Sequence, residues 1–159
     1  MATRQFTLSL TGLSDLVISR VRQVVPTFTG QTAAEERSIN GVVMSTSGST
    51  QALNLTIDAA MTQAEFALFE EYLFEQERNG NRGNIIAKNE YTRVNARWST
   101  INSRTQVAGS AQTTHGNITQ YFVQHPALII VASDFWEVAG ENSQGQWRDV
   151  VFEIQELIQ

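Results

Sequence analysis

The sequence predicts a mainly β domain interrupted by one central amphipathic helix, an α+β arrangement, on three observations. Apolar residues alternate with polar ones in several short runs, which is the period of a strand with one buried face. One segment, residues 63–78, changes to helical spacing and carries start and stop signals at its two ends. Charged residues make up only 17% of the 159, so Ser, Thr, Asn and Gln must cover much of the surface. No internal repeat or composition break divides the chain. A single domain over residues 1–159 is expected, large enough to bury roughly two-thirds of the surface of the unfolded chain.

The elements follow in order. Phe6, Leu8 and Leu10 alternate with Thr7 and Ser9, giving a first half-buried strand that Thr11-Gly12 ends. Val17, Val21 and Val25 alternate through residues 16–25, which gives a second strand; a helix opening at Ser14-Asp15 is the alternative. Residues 26–40 are small and polar without apolar periodicity, so a long loop is expected, and loops of that length tend to be functional. Val42 to Met44 form a short strand and residues 45–50 a turn. The cleanest alternation lies in residues 51–58, where Leu53, Leu55 and Ile57 oppose Asn54, Thr56 and Asp58.

The helix opens with Thr62-Gln63-Ala64-Glu65. Thr62 can accept from the third helical amide while Glu65 reaches back, and Met61 with Phe66 completes a hydrophobic staple. Phe66, Phe69 and Leu73 mark the docked side, with Tyr72 alongside, and Glu70, Glu71, Glu75, Gln76 and Glu77 mark the opposite one. Arg78 suits the negative end of the helix dipole and Asn79-Gly80 ends it. Further strands are expected over 84–88, over 92–99 with Val94, Ala96 and Trp98 on one face, and over 118–124. Residues 102–116 read as a polar loop or weak hairpin. The apolar run 127–132 suits a buried central strand, and 146–158 a final strand carrying Val150, Phe152 and Ile154.

The net charge of −5 comes with basic residues scattered singly, which disfavours tight binding to nucleic acid by clustered cations. Ten of the eleven basic residues are arginine, Lys88 being the exception, a bias that suits protein interfaces. The absence of cysteine removes disulfides, thiolate nucleophiles and cysteine-based metal sites. The first ten residues alternate instead of forming the apolar core of a signal peptide, and no run reaches the length of a membrane span. Folding in the cytoplasm is therefore expected.

Catalysis should leave a nucleophile, a base or a metal cluster. His115 and His125 match no metal-ligand spacing and read as surface or turn residues. The helix carboxylates read as a solvated face, and Asn79-Gly80-Asn81-Arg82-Gly83-Asn84 lacks the Walker pattern and precedes a strand, so it reads as a turn. Trp98, Trp136 and Trp147 could make a sugar-stacking platform, but core or interface burial is the commoner fate, with Phe135-Trp136 the pair expected at a contact. No catalytic, cofactor-binding or metal-binding residue is assigned, and neither an enzyme activity nor a cofactor is expected.

The order of strands, polar loop, a strand ending in Asp58, one capped helix, a Gly/Asn turn and further strands resembles the tail-tube family of phage tails and contractile injection systems, including distal tail and tube-initiating ring subunits. Residues 53–98 carry most of the likeness. The resemblance implies a β-barrel or sandwich flanked by the helix, repeated as a ring, a hexamer, around a channel for DNA. The 26–40 loop would lap over a neighbour. The implied partners are further copies of the chain and other tail or baseplate proteins, with DNA only as cargo and no membrane. The implied location is the virion tail, after folding in the host cytoplasm. The alternatives from other classes are a carbohydrate- or ligand-binding β-sandwich that uses the tryptophans, and a small β-barrel enzyme that pairs a histidine with a helix carboxylate.

Overall fold

The computed structural model describes residues 4–29, 34–37, 43–46, 52–78, 84–95, 104–108, 112–141 and 147–157. The chain is mainly β with one long helix, and its principal sheet is a nearly closed, barrel-like structure. The elements are β1 (Phe6–Ser9), β2 (Leu16–Ile18), β3 (Arg20–Thr29), β4 (Ala34–Arg37), β5 (Val43–Thr46), β6 (Ala52–Thr62), α1 (Gln63–Glu77), β7 (Ile85–Asn95), β8 (Thr105–Gln106), β9 (Thr113–His115), β10 (Ile118–Ile130), α2 (Phe135–Val138), β11 (Gly140–Glu141) and β12 (Trp147–Glu156).

The strand order is β2-β1-β7-β10-β12-β6-β3, antiparallel throughout. Its two ends, β2 and β3, are separated in the chain only by Ser19. One nearly continuous run therefore pairs with β1 through its first part and with β6 through its second, and this brings the sheet round on itself. Curling removes most of the free edge that an open sheet would present. The alternation in β6 places Leu53, Leu55, Ile57, Ala59 and Met61 inside, facing Val150, Phe152 and Ile154 of β12 and Phe6 and Leu8 of β1 in one core.

The helix starts where its cap signals place it. Thr62 Oγ1 accepts from Glu65 N at 3.1 Å, and Met61 and Phe66 are both buried. The Glu65 carboxylate, however, turns to Ser19, whose hydroxyl donates to it at 2.5 Å, so the helix start is tied to the β2–β3 junction. The buried side is Phe66, Phe69, Tyr72 and Gln76. Leu73, expected on the docked side, packs partly buried against the core, whereas Gln76 moves from the expected solvated side to the buried one. The Tyr72 hydroxyl lies 2.9 Å from Leu8 O and 2.8 Å from Ser14 O, pinning the β1–β2 turn. Arg78 caps the end in an extended conformation. Asn79-Gly80 lies outside the described residues.

Three further expectations change. Where a loop is expected over 26–40, β3 runs on through Thr29, and residues 34–37 form β4, paired with residues 43–46 of β5. Polar β-branched residues such as Thr27 and Thr29 suit an extended chain, and such a strand has no apolar alternation to reveal it. The runs 118–124 and 127–132 are parts of one strand, β10, with Pro126 inside it. Pro126 sits where β10 changes partners, at the last pairs with β7 and the first with β12, and its carbonyl accepts from Leu157 N at 3.0 Å. The segments 84–88 and 92–99 likewise join in β7. There residues 90–92 bulge from the ladder, held by Asn89 Oδ1 accepting from Tyr91 N at 2.8 Å. Ala96 and Trp98 lie outside the described residues. Where a polar loop or weak hairpin is expected over 102–116, residues 105–106 and 113–115 form two short strands, β8 and β9, that each pair with β10.

Candidate functional site

Three places gather chemistry-bearing side chains. The first is inside the barrel, at the end of β12. Arg104 and Glu156 form a two-pronged ion pair, Nε to Oε2 at 2.5 Å and an η nitrogen to Oε1 at 2.6 Å, with both side chains sealed from solvent. Glu156 Oε1 also accepts from Leu53 N at 3.0 Å, which binds the start of β6 to the end of β12. His125 lies in the field of this pair and is itself buried, which corrects its reading as a surface or turn residue. The strand merger explains the change, since a residue before Pro126 is a strand end only if the proline ends the strand. His125 Nδ1 is 2.9 Å from Pro126 O, whereas Nε2 has no hydrogen-bond partner among the described residues. Burial pushes its pKa below the usual histidine value. The Pro126 carbonyl and Glu156 oppose that shift, and Arg104 adds to it.

The second place is the outer face at a bulge of β3. Residue 22 drops out of register between Val21 and Gln23, and a bulge of this kind re-aims a side chain. Arg22 reaches Asp58 Oδ1 at 2.6 Å and Asp149 Oδ1 at 2.7 Å. The three strands β3, β6 and β12 are thereby laced across their exposed side. All three side chains are substantially exposed, so the pairs are screened and contribute little individually. The guanidinium pKa is raised, chiefly by the hydrogen bond to Asp58 and then by that to Asp149.

The third place is apolar. Phe135 of α2 is buried and stacks near Phe66 at 6.3 Å and Phe69 at 5.8 Å. Trp136 meets the edges of Phe66 and Phe135 at 5.9 and 5.1 Å yet stays 54% exposed. A groove of about 490 Å3 runs beside it, lined by Leu73, Gln76, Glu77, residues 128–131, Trp136 and Gln155. The polar groups in its floor are already committed. The Gln76 amide donates to Ile129 O at 2.8 Å and accepts from Ile129 N at 2.7 Å, like one more rung of the ladder where β10 has run past β7. What remains is an apolar wall of Leu73, Leu128, Ile130 and Trp136, with Phe74, 60% exposed, next to Leu73 on the helix.

The histidines are not brought together, since His115 is exposed at the end of β9, before the two-residue turn, and His125 is interior. Neither lines this groove. No group of three or more potential metal ligands occurs among the described residues. Trp147 is half-buried under the Arg20 guanidinium, 4.0 Å from its ring, and does not join Trp136 in the groove. Gln76 could have been found from sequence, because it falls four residues after Tyr72 and seven after Phe69 on the buried side. Arg104 left no signal, since one arginine in a polar stretch looks like any other.

No helix among the described residues is long and apolar enough to cross a membrane. Compared with known proteins, the chain matches no protein-family model and no curated relative.

Proposed function

We propose that this chain is a structural subunit that self-assembles into a ring of a phage tail or injection-machine tube, around a channel for DNA passage. One observation carries the reading. The main sheet curls until it has little free edge, while β4 and β5 form a separate ribbon whose strands hydrogen-bond only to each other among the described residues. An isolated two-stranded ribbon is marginally stable at best in water, so this one calls for a surface to pack on. A ring of six, as the layout resemblance implies, supplies such a surface in the next copy, and rotational closure makes the contact finite. The net charge of −5 suits a lumen in which DNA slides without being held. Residence in the virion tail and contacts with other tail or baseplate proteins belong to the same reading, as does the absence of catalysis.

Light scattering and negative-stain microscopy of the full-length protein, alone and with tail partners, test it. Closed rings with a central hole are expected, and a monomer under both conditions would overturn the assignment. The exposed Trp136 beside a groove favours one other reading, a carbohydrate- or ligand-binding β-sandwich. That reading predicts a monomer retained on immobilised glycans and released by Trp136→Ala.

A further inference from the structure

Along one edge of β10 two partners stand end to end. Gln124 and Val123 pair with Thr105 and Gln106 of β8, and Ala127 to Ile130 pair with Glu156 to Glu153 of β12, while β7 follows the other edge. Between the two partners lies a seam, His125 and Pro126. One further step of the antiparallel register sets Arg104 beside His125, and Glu156 stands beside Ala127, so the buried Arg104–Glu156 ion pair spans the seam. His125 is sealed at this point. Its Nδ1 is 2.9 Å from Pro126 O, and a carbonyl only accepts, so Nδ1 carries a proton. Nε2 has no hydrogen-bond partner among the described residues, and a charged N–H buried there would be left unsatisfied. The closed ring is therefore neutral, with Nε2 bare.

The charged groups that act on His125 are Glu156, from β12, and Arg104, from the segment 104–108. From β7, Ala87 lies directly across and Asn89 diagonally, neither of which titrates, and Lys88 alternates to the other face of the sheet. The cluster thus holds one cation matched to one anion. A proton on Nε2 would set two cations against a single carboxylate in a sealed space, and one of them must leave. Arg104 is the less firmly held. Its segment has two register pairs with β10 and a hydrogen bond from Val107 N to Phe122 O at 2.9 Å, whereas His125 belongs to β10 itself, which has eight pairs with β7. We infer that the seam is an acid-operated latch: His125 takes a proton from water, its imidazolium replaces Arg104 beside Glu156, and residues 104–108 swing off β10 while the barrel stays closed. The proton brings the charge that Arg104 carries away, so the carboxylate is paired in both states. The latch needs no second copy of the chain and stands apart from the ring reading.

Hydrogen exchange of the full-length chain, corrected for the intrinsic rate at each pH, reads the latch at the Val107 amide. Burial lowers the His125 pKa in the closed seam, and opening returns it towards the ordinary value of about 6.5. The segment is therefore held closed above that pH, and its opening grows about tenfold for each pH unit below it, or about thirtyfold between pH 7.5 and pH 5. Protection of Val107 should fall by that factor and should not respond to urea below the unfolding transition, because a short segment exposes little surface. The amides of Ile57 and Phe152, paired in the β6–β12 ladder, should stay more protected and should lose protection as urea is added. His125→Gln should leave Val107 protection flat between the two pH values. Nitrogen NMR of the His125 ring in the unaltered chain gives a second reading that no substitution can disturb, with a neutral ring protonated on Nδ1 expected at pH 7.5. A ring that gains its second proton by pH 5 while Val107 stays as protected as before shows that the closed seam accepts the charge, and overturns the latch. Val107 protection that equals that of Phe152 and follows it in urea makes the opening global and overturns it too, as does a fall with pH that survives in folded His125→Gln.

Discussion

Phe69 shows what a single side chain does in this core. It is fully buried, 4.8 Å from Phe152 of the sheet and 5.8 Å from Phe135 of α2, so it joins three elements at one point. Phe69→Ala should cost about 3–5 kcal/mol through lost burial and the cavity left behind, and a urea midpoint unchanged from the parent would show that the helix docks by another side. The Arg104–Glu156 pair obeys a different rule. Removing one partner strands a buried charge, so Glu156→Leu should destabilise by about 3–5 kcal/mol, whereas Arg104→Met with Glu156→Leu should recover much of that loss. A double-mutant cycle in urea measures the recovery, and strictly additive losses would contradict it. His125 adds a pH dependence of known sign. Its folded pKa is lowered by burial, so below the ordinary value of about 6.5 the unfolded chain takes up a proton that the folded chain refuses. The stability it contributes is complete above that pH and is lost as the pH falls. His125→Gln should flatten the fall in thermal midpoint between about pH 7 and pH 5, and an unchanged slope would assign the acid sensitivity to other groups.

At the scale of elements, caps and edges decide what holds. Thr62→Ala removes the acceptor for Glu65 N and should cost on the order of 1 kcal/mol. Gln76→Leu keeps the volume close but leaves the Ile129 N–H and carbonyl unsatisfied beside the groove, at about 1–3 kcal/mol for each buried group. Hydrogen exchange should show Ile129 as the amide most affected, and protection equal to the parent would mean that water replaces the side chain. The elements most legible in the sequence are those where local chemistry and burial agree: β6, with its strict alternation, and α1, with its cap, staple and apolar spacing. Legibility fails where pairing overrides local signals. Pro126 reads as a break, yet a strand passes through it because its partners change there. Residues 34–37 read as loop because Ala34-Glu35-Glu36-Arg37 carries no apolar period, and only the pairing with residues 43–46 makes them a strand. The site divides the same way. Phe135-Trp136 is expected at a contact from its residue types alone, yet Phe135 is buried in the chain's own core and only Trp136 is exposed, while the groove beside it is made by distant segments, 73–77 and 128–131, that only the fold brings together.

The whole molecule poses a balance between apolar docking and like charge. Each copy carries a net −5, and the helix beside the groove exposes Glu70, Glu71 and Glu77. Closing several copies into a ring therefore concentrates negative charge. The attraction available to oppose it is the apolar wall of Leu73, Leu128, Ile130 and Trp136, which salt does not screen. Added salt shortens the reach of the repulsion to about 10 Å at 0.1 M and about 3 Å at 1 M. Self-association should accordingly strengthen as sodium chloride rises from about 0.05 M to about 0.5 M, the opposite of a complex held by ion pairs across its interface. DNA supplies the contrast, because a protein that gathers phosphates loses affinity steeply over that range. This chain should show no retention on duplex DNA at the low-salt end, where any phosphate contact would be strongest. Sedimentation across the salt series, with a DNA-column run at the lowest salt, measures both. Association that weakens with salt would place charged pairs at the interface in place of the apolar wall, and retention on DNA would contradict a lumen through which DNA slides.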